Sequence, residues 1–242
     1  MEGKEAVFVK TPFLQGLRDG IPIGLGYLSV SFGFGILCMS LGLSVLTAAG
    51  ISMSNLTSAG QVAGVGIIAA GGTLVEMALT QLVINLRYSL FAISLSQKLD
   101  DSFTGIHRFI AAFGITDEIF AAAYGQKGKI KPAYMYGVIL VSAFGWVLGT
   151  FLGASLGQVL PQSLSAAMGI MLYGMFLAVF IPPARKERGV LVAVIAAALC
   201  SILFAYVFTF VSGGFAVIIS ALLAAAICAW LFPVEQKEDG DA

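Results

Sequence analysis

Charge is what this chain has least of. Its 242 residues include thirteen Lys and Arg and thirteen Asp and Glu, for a net charge of zero. Three stretches, 20–75, 132–184 and 189–234, contain none of the four. A soluble chain must present charge to water every few residues along its outward faces, so runs this long exclude an aqueous surround and fit lipid. The zero balance leaves no electrostatic case for binding nucleic acid. Histidine is nearly absent. His107 stands alone, which excludes bis-histidine haem and HExxH zinc chemistry. It lies beside Arg108 in the most polar loop, a poor place for a buried base, so no enzyme is expected. The three cysteines, Cys38, Cys200 and Cys228, are odd in number and each sits in an apolar run. They read as buried thiols rather than bridges or metal ligands, and neither a metal nor a cofactor is expected. The first ten residues, MEGKEAVFVK, lack the apolar core of a cleavable signal peptide.

What is present is apolar: 59% of the residues, against about 45–50% in ordinary globular domains. Breaking the runs at glycine, proline and charge predicts spans at 20–42, 43–66, 70–95, 108–124, 132–156, 164–182, 189–211 and 213–232. They do not alternate as barrel strands do, and a bilayer demands that backbone groups be satisfied within each segment. The expected fold is therefore all-α, a polytopic membrane helix bundle with seven or eight transmembrane segments. Span 43–66 is polar (Asn55, Thr57, Ser58, Gln61), and 108–124 is short with two adjacent acids; both are candidates for broken or re-entrant elements. The domain reading is a cytoplasmic N-terminal segment 1–19, one transmembrane domain 20–232 and an acidic cytoplasmic tail 233–242. If all eight spans cross from a cytoplasmic N-terminus, Lys4, Lys10, Arg18, Lys127, Lys129, Lys131, Arg185, Lys186, Arg188 and Lys237 lie inside, and only Lys98 and Arg108 lie outside. That asymmetry matches the positive-inside rule and places both termini in the cytoplasm.

Four constellations stand out. Gly145, Gly149, Gly153 and Gly157 recur every fourth residue, a smooth stripe that lets two helix backbones approach in lipid. Its contact is either within the bundle or with another subunit. In span 70–95, Glu76, Thr80 and Arg87 fall within about 40° of one another on a helix, while Gln81, Asn85 and Tyr88 form a second polar face. Such a helix belongs inside the bundle. Glu76 and Arg87 are about 16 Å apart along it, so each needs a partner elsewhere; the alternative for Arg87 is snorkelling to the interface. Asp117 and Glu118 lie in FIAAFGITDEIFAAAYG. Acids inside a bundle suit cation or proton handling, because burial favours their neutral form; the alternative is an amphipathic turn with both in water. Finally, small residues flank Gln61 in TSAGQVAG, the kind of interruption found where helices are discontinuous at a binding site, or else a plain packing face.

These pieces carry a resemblance. The opening RDGIPIGLGYLSVSFGFGI, the TSAGQVAG element, INLRYSLFAISL, GITDEIFAAA and the later MLYGMFLAVFIPP are similar to the AzlC family of branched-chain amino acid permeases, over roughly residues 16–232. The steps Asn85-Leu86-Arg87 and Thr116-Asp117-Glu118 are the most specific. Where family members often carry an acid near a Phe-rich step of the penultimate region, this chain has Gly169, so no ion-coupling role carries over to that helix. The resemblance implies export of valine, leucine, isoleucine or a similar hydrophobic amino acid across a bacterial inner membrane, together with a small membrane partner of the AzlD type. On the residues, Arg87 with Asn85 would hold the substrate carboxylate. Asp117 or Glu118 would hold the ammonium or a coupling proton, with Glu76 a further proton candidate. Gln61 would complete the polar contacts. A transporter of another small organic solute, a passive pore and a scaffold for a small partner are the alternatives.

Overall fold

The computed structural model describes residues 11–157, 159–161 and 181–233, with 163, 167, 170, 173, 174 and 177 between them. The expected 164–182 span lies largely outside the described residues; Gly169, 1–10 and 234–242 lie wholly outside them. Nine helices have both ends among the described residues: α1 (Pro12–Ser40), α2 (Val45–Ser54), α3 (Ala59–Ala69), α4 (Leu74–Ser96), α5 (Gly105–Phe113), α6 (Asp117–Tyr124), α7 (Pro132–Leu156), α8 (Arg188–Tyr206) and α9 (Gly213–Leu231). Among the described residues α1, α4, α7, α8 and α9 are long and apolar enough to cross a bilayer. The chain is an all-α membrane protein. The described residues of Met1–Gln61 and Asn85–Leu172 form one compact unit, and those of Val62–Ile84 and Tyr173–Ala242 another.

The first unit is built on α1 and α7. Thr11 opens α1 with its hydroxyl accepting from Leu14 N, and Pro12 takes the first turn, where its missing N–H costs nothing. Gly16 faces Tyr134, Gly24 faces Val141, and Gly35 faces Thr150 and Ala154. Numbering rises together along both helices, so they run parallel. A Cβ at Gly145 would overlap the backbone of Gly24, one at Gly149 that of Leu28, and one at Gly153 that of Phe32, while Gly157 abuts the Ile36 side chain. The glycine stripe is therefore occupied by α1 of the same chain. Backbones this close trade side-chain packing for dispersion along the whole contact, which is how helices associate where no hydrophobic drive exists.

Both suspect spans are broken. Residues 43–66 form α2 and α3, parted at 55–58, where Ser58 takes φ +42°. Gly42, at φ +80°, turns the chain out of α1, and Ser44 caps α2 by accepting from Thr47 N at 3.1 Å. Ser52 Oγ meets Thr150 Oγ1 at 2.7 Å, so α2 descends along α7 from the far end of α1.

Span 108–124, a candidate for a broken element, is indeed interrupted. It forms α5 and α6, of nine and eight residues, or about 13 and 12 Å against a hydrocarbon core of ~30 Å. Both ends of this pair emerge at one place. Lys98 Nζ donates to Tyr124 O at 2.5 Å and to Gln126 O at 2.7 Å. Asp100 N donates to Ile130 O, and Ile130 N to Lys98 O. Lys129 pairs with Asp101 at 3.5 Å. Lys98 therefore lies at the same end of the unit as Lys129, and Arg108, near the start of α5, rests its side chain on Phe103 O beside them.

In the second unit, Thr73 caps the start of α4 by accepting from Glu76 N at 3.1 Å. α8 and α9 are antiparallel: Cys228, late in α9, donates to Gly189 O, early in α8. No residue of α8 is buried, and Leu191, Ile195, Leu199 and Ile202 lie open. In water such a face would aggregate; against lipid tails it is an ordinary surface.

Candidate functional site

The two breaks of the first unit converge on the middles of α1 and α7. At the lower break the chain stops at Gly114, where a Cβ would overlap Ile139, and restarts at Thr116. Thr116 caps α6, its hydroxyl accepting from Ile119 N at 3.3 Å. Asp117 and Glu118 then fall in the first turn, where the helix dipole favours anions. Being adjacent, they point about 100° apart and serve different partners.

Asp117 Oδ2 lies 3.0 Å from Arg87 Nη1 on α4. The other terminal nitrogen of Arg87 donates to the Tyr88 hydroxyl at 3.1 Å, and its Nε is buried with no hydrogen-bond partner. The pair is not sealed: the two side chains remain 34% and 28% exposed. Glu118 turns to α1, its Oε2 2.5 Å from the Tyr27 hydroxyl, which also sits 2.6 Å from Thr116 Oγ1. A tyrosine has one proton to give, and the carboxylate is the stronger acceptor, so Thr116 returns its own proton to Tyr27. Phe91 and Phe120 stack at 4.4 Å, and with Tyr88 they form an aromatic wall beside the ion pair.

Tyr27 continues the chain of contacts. Its ring stands edge-on to Trp146 at 5.2 Å, and the two rings are almost wholly buried. Trp146 Nε1 donates to Gln61 Oε1 at 2.8 Å, while Gln61 Nε2 donates to the carbonyls of Ile51 and Asn55 at the end of α2. Gln61 thus braces the upper break, its amide oxygen and nitrogen both engaged. Ile51 O also accepts from Asn55 N and Nδ2, so Gln61 ties the end of α2 to α3 and to Trp146 rather than filling an empty acceptor there.

The other sequence candidates lie elsewhere. Asn85 is two residues before Arg87, so it projects about 160° away around α4, and it is engaged in its own interaction. Glu76 belongs to the second unit, where its Oε1 accepts from Ser212 Oγ at 2.5 Å and Gly214 N at 2.9 Å. His107 pairs with the Tyr136 hydroxyl near the start of α7. Among the described residues no three His, Cys, Asp or Glu side chains gather as metal ligands. Sequence reading missed Tyr27 and Trp146, and placed Tyr88 on a polar face without a partner. The available signal was weak: an aromatic with a polar tip, deep in a lipid-like run, needs a partner for that tip. It also missed a cluster at the entry end of α1, where Asp19 accepts from Gln126 and Tyr134, both at 3.1 Å.

What this arrangement holds is one cation and one anion within reach of each other. A spare donor sits on the cation, and a second acid hangs on a tyrosine, all between two helix breaks. Comparison with known proteins sets it in context. The family model described as AzlC protein matches residues 22–160, which include every member of the cluster. The Escherichia coli inner membrane protein YgaZ is 30% identical over 187 residues, 74% of this chain and 76% of its own length. An uncharacterized membrane protein of Archaeoglobus fulgidus is 31% identical over 140 residues, 58% of this chain and 60% of its own. One from Helicobacter pylori is 23% identical over 201 residues, covering 77% and 87%. No solved structure matches the chain. With the family model spanning more than half of its length, and both broken elements with it, this chain belongs to the AzlC family of membrane proteins.

Proposed function

We propose that the protein is a secondary transporter that exports branched-chain or similar hydrophobic amino acids across a bacterial inner membrane by alternating access. The observation that carries this reading is the Arg87–Asp117 pair. An amino acid zwitterion presents one anion and one cation a few ångströms apart, and a partly exposed ion pair between two helix breaks is the complementary form of that ligand. The substrate carboxylate takes Arg87, using the unfilled Nε; the ammonium takes Asp117; Phe91, Phe120 and neighbouring aliphatic side chains enclose the tail. Glu118, held by Tyr27, is free of Arg87 and carries the coupling proton. The breaks are reached from opposite ends of the first unit, so small shifts at either would open the pair to one side at a time.

The topology we propose has eight membrane-embedded segments: the five long helices, the 164–182 span and two broken elements, each returning to the side it entered from. With the N-terminus in the cytoplasm, every Lys and Arg of the described residues except Arg87 then faces the cytoplasm. That is a sharper asymmetry than eight crossings give. A small AzlD-type subunit completes the transporter. The test is efflux of labelled leucine from vesicles containing both subunits. Arg87→Ala and Asp117→Asn, at normal protein levels, each abolish efflux; wild-type efflux from Arg87→Ala removes Arg87 from the mechanism.

A further inference from the structure

The second unit contains a cavity of about 540 Å³, within the range of small-molecule sites. It is lined by Ala63, Gly66, Ala70, Gly72, Val217 and the side chain of Glu76 among others. Glu76 is only 4% exposed. Both donors that reach it, Ser212 Oγ and Gly214 N, bond the same oxygen, Oε1. Among the described residues no donor is seen on Oε2, and none of the described lining residues is cationic. A buried carboxylate answered by one hydroxyl and one helix end lacks a counter-charge.

The chemistry of the missing occupant follows from the walls. A sodium or calcium ion needs several oxygen ligands, and the described lining supplies those of Glu76 and Ser212 with otherwise small apolar surfaces. An N–H-bearing cation on a short hydrocarbon body needs one acceptor and apolar walls, and both are here. We infer that this cavity binds a primary aliphatic ammonium group, which donates to Glu76 Oε2. The site is independent of the Arg87–Asp117 cluster and does not rest on the transport reading. The same chemistry has two sources in a membrane: a free amine and the headgroup of phosphatidylethanolamine.

The test uses the full chain purified in detergent, with isobutylammonium chloride as probe and isobutanol as its uncharged counterpart. The amine raises the melting temperature saturably and isobutanol does not. Glu76→Gln weakens amine binding at least ~10-fold. Because Glu76 also holds the start of α9, Gly66→Leu is the second variant: Gly66 lines the cavity and a Cβ there meets nothing within 4 Å, so the leucine intrudes on the space for the hydrocarbon body without altering the carboxylate. It too abolishes the shift. No saturable shift in the wild type, an equal shift with isobutanol, or a shift that survives Gly66→Leu overturns the site. In nanodiscs, retention of phosphatidylethanolamine but not phosphatidylcholine, displaced by the amine and lost in Gly66→Leu, identifies the lipid as the source; absence of retention with amine binding intact identifies the free amine.

Discussion

Three side chains carry the account at the residue scale: Arg87, Asp117 and Tyr27. Arg87 reaches Asp117 with one terminal nitrogen and Tyr88 with the other. Its planar fork is what lets a third group approach Nε. A lysine keeps the charge but has no such fork. Arg87→Lys is therefore expected to retain folding and lose about 10- to 100-fold in leucine affinity, the equivalent of one charge-assisted hydrogen bond of about 1.5–3 kcal/mol; equilibrium binding of labelled leucine measures it. Tyr27→Phe removes the one donor to Glu118 seen among the described residues while leaving the edge-on contact with Trp146 in place. Its efflux is expected to lose the pH dependence of the wild type while substrate affinity stays within a few-fold. Unchanged pH dependence would place the coupling proton elsewhere.

The parallel contact of α1 and α7 and the two breaks govern behaviour at the element scale. Overpacking a core costs typically about 1–3 kcal/mol. At Gly149 and Gly153 the obstacle is facing backbone, which no rotamer change relieves, so Gly149→Leu and Gly153→Leu fall at the upper end or beyond. Gly26, on the same helix as the contact, has nothing within 4 Å of its Cβ position. Gly26→Leu is expected to leave the melting temperature unchanged, while the other two lower it by several degrees. Much of this level was legible in the sequence. The run between Pro132 and Gly157 marked α7 to its residue bounds, because a proline and a glycine bracket one apolar stretch. Asn55 to Gln61 and Gly114 marked the breaks, because polar and flexible residues have no reason to interrupt a plain span. What the breaks join was not legible. Tyr27 and Trp146 look, in sequence, like any aromatic facing lipid, and the pairing of Arg87 with Asp117 depends on a return of the chain that no local pattern records.

The fate of the 105–124 element decides the topology of the whole molecule. Charge counting with eight crossings puts Lys98 and Lys129 on opposite sides, whereas the loops that carry them pair at Leu99 and Ile130, as they would if the element re-enters as proposed. Single cysteines at Lys98 and Lys129, in a chain freed of its three native cysteines, are expected to react alike with a membrane-impermeant thiol reagent: both protected in intact cells and both labelled after lysis. Labelling of one alone would restore the crossing. Sequence reading stopped short here for a physical reason. A segment of apolar residues interrupted by two acids has the composition of a crossing helix and of a re-entrant pair alike, and only the contacts between its ends distinguish them.

The central claim is that Arg87 and Asp117 together grip both ends of a zwitterion. Competition against labelled leucine for the purified transporter tests it most directly, with 4-methylpentanoate, which lacks the ammonium, and isoamylamine, which lacks the carboxylate. The account predicts that leucine competes fully while each one-ended analogue competes at least ~10-fold more weakly, and that Asp117→Asn narrows the gap between leucine and 4-methylpentanoate. If either analogue displaced labelled leucine as well as leucine itself, one end of the substrate would be ungripped and the claim contradicted.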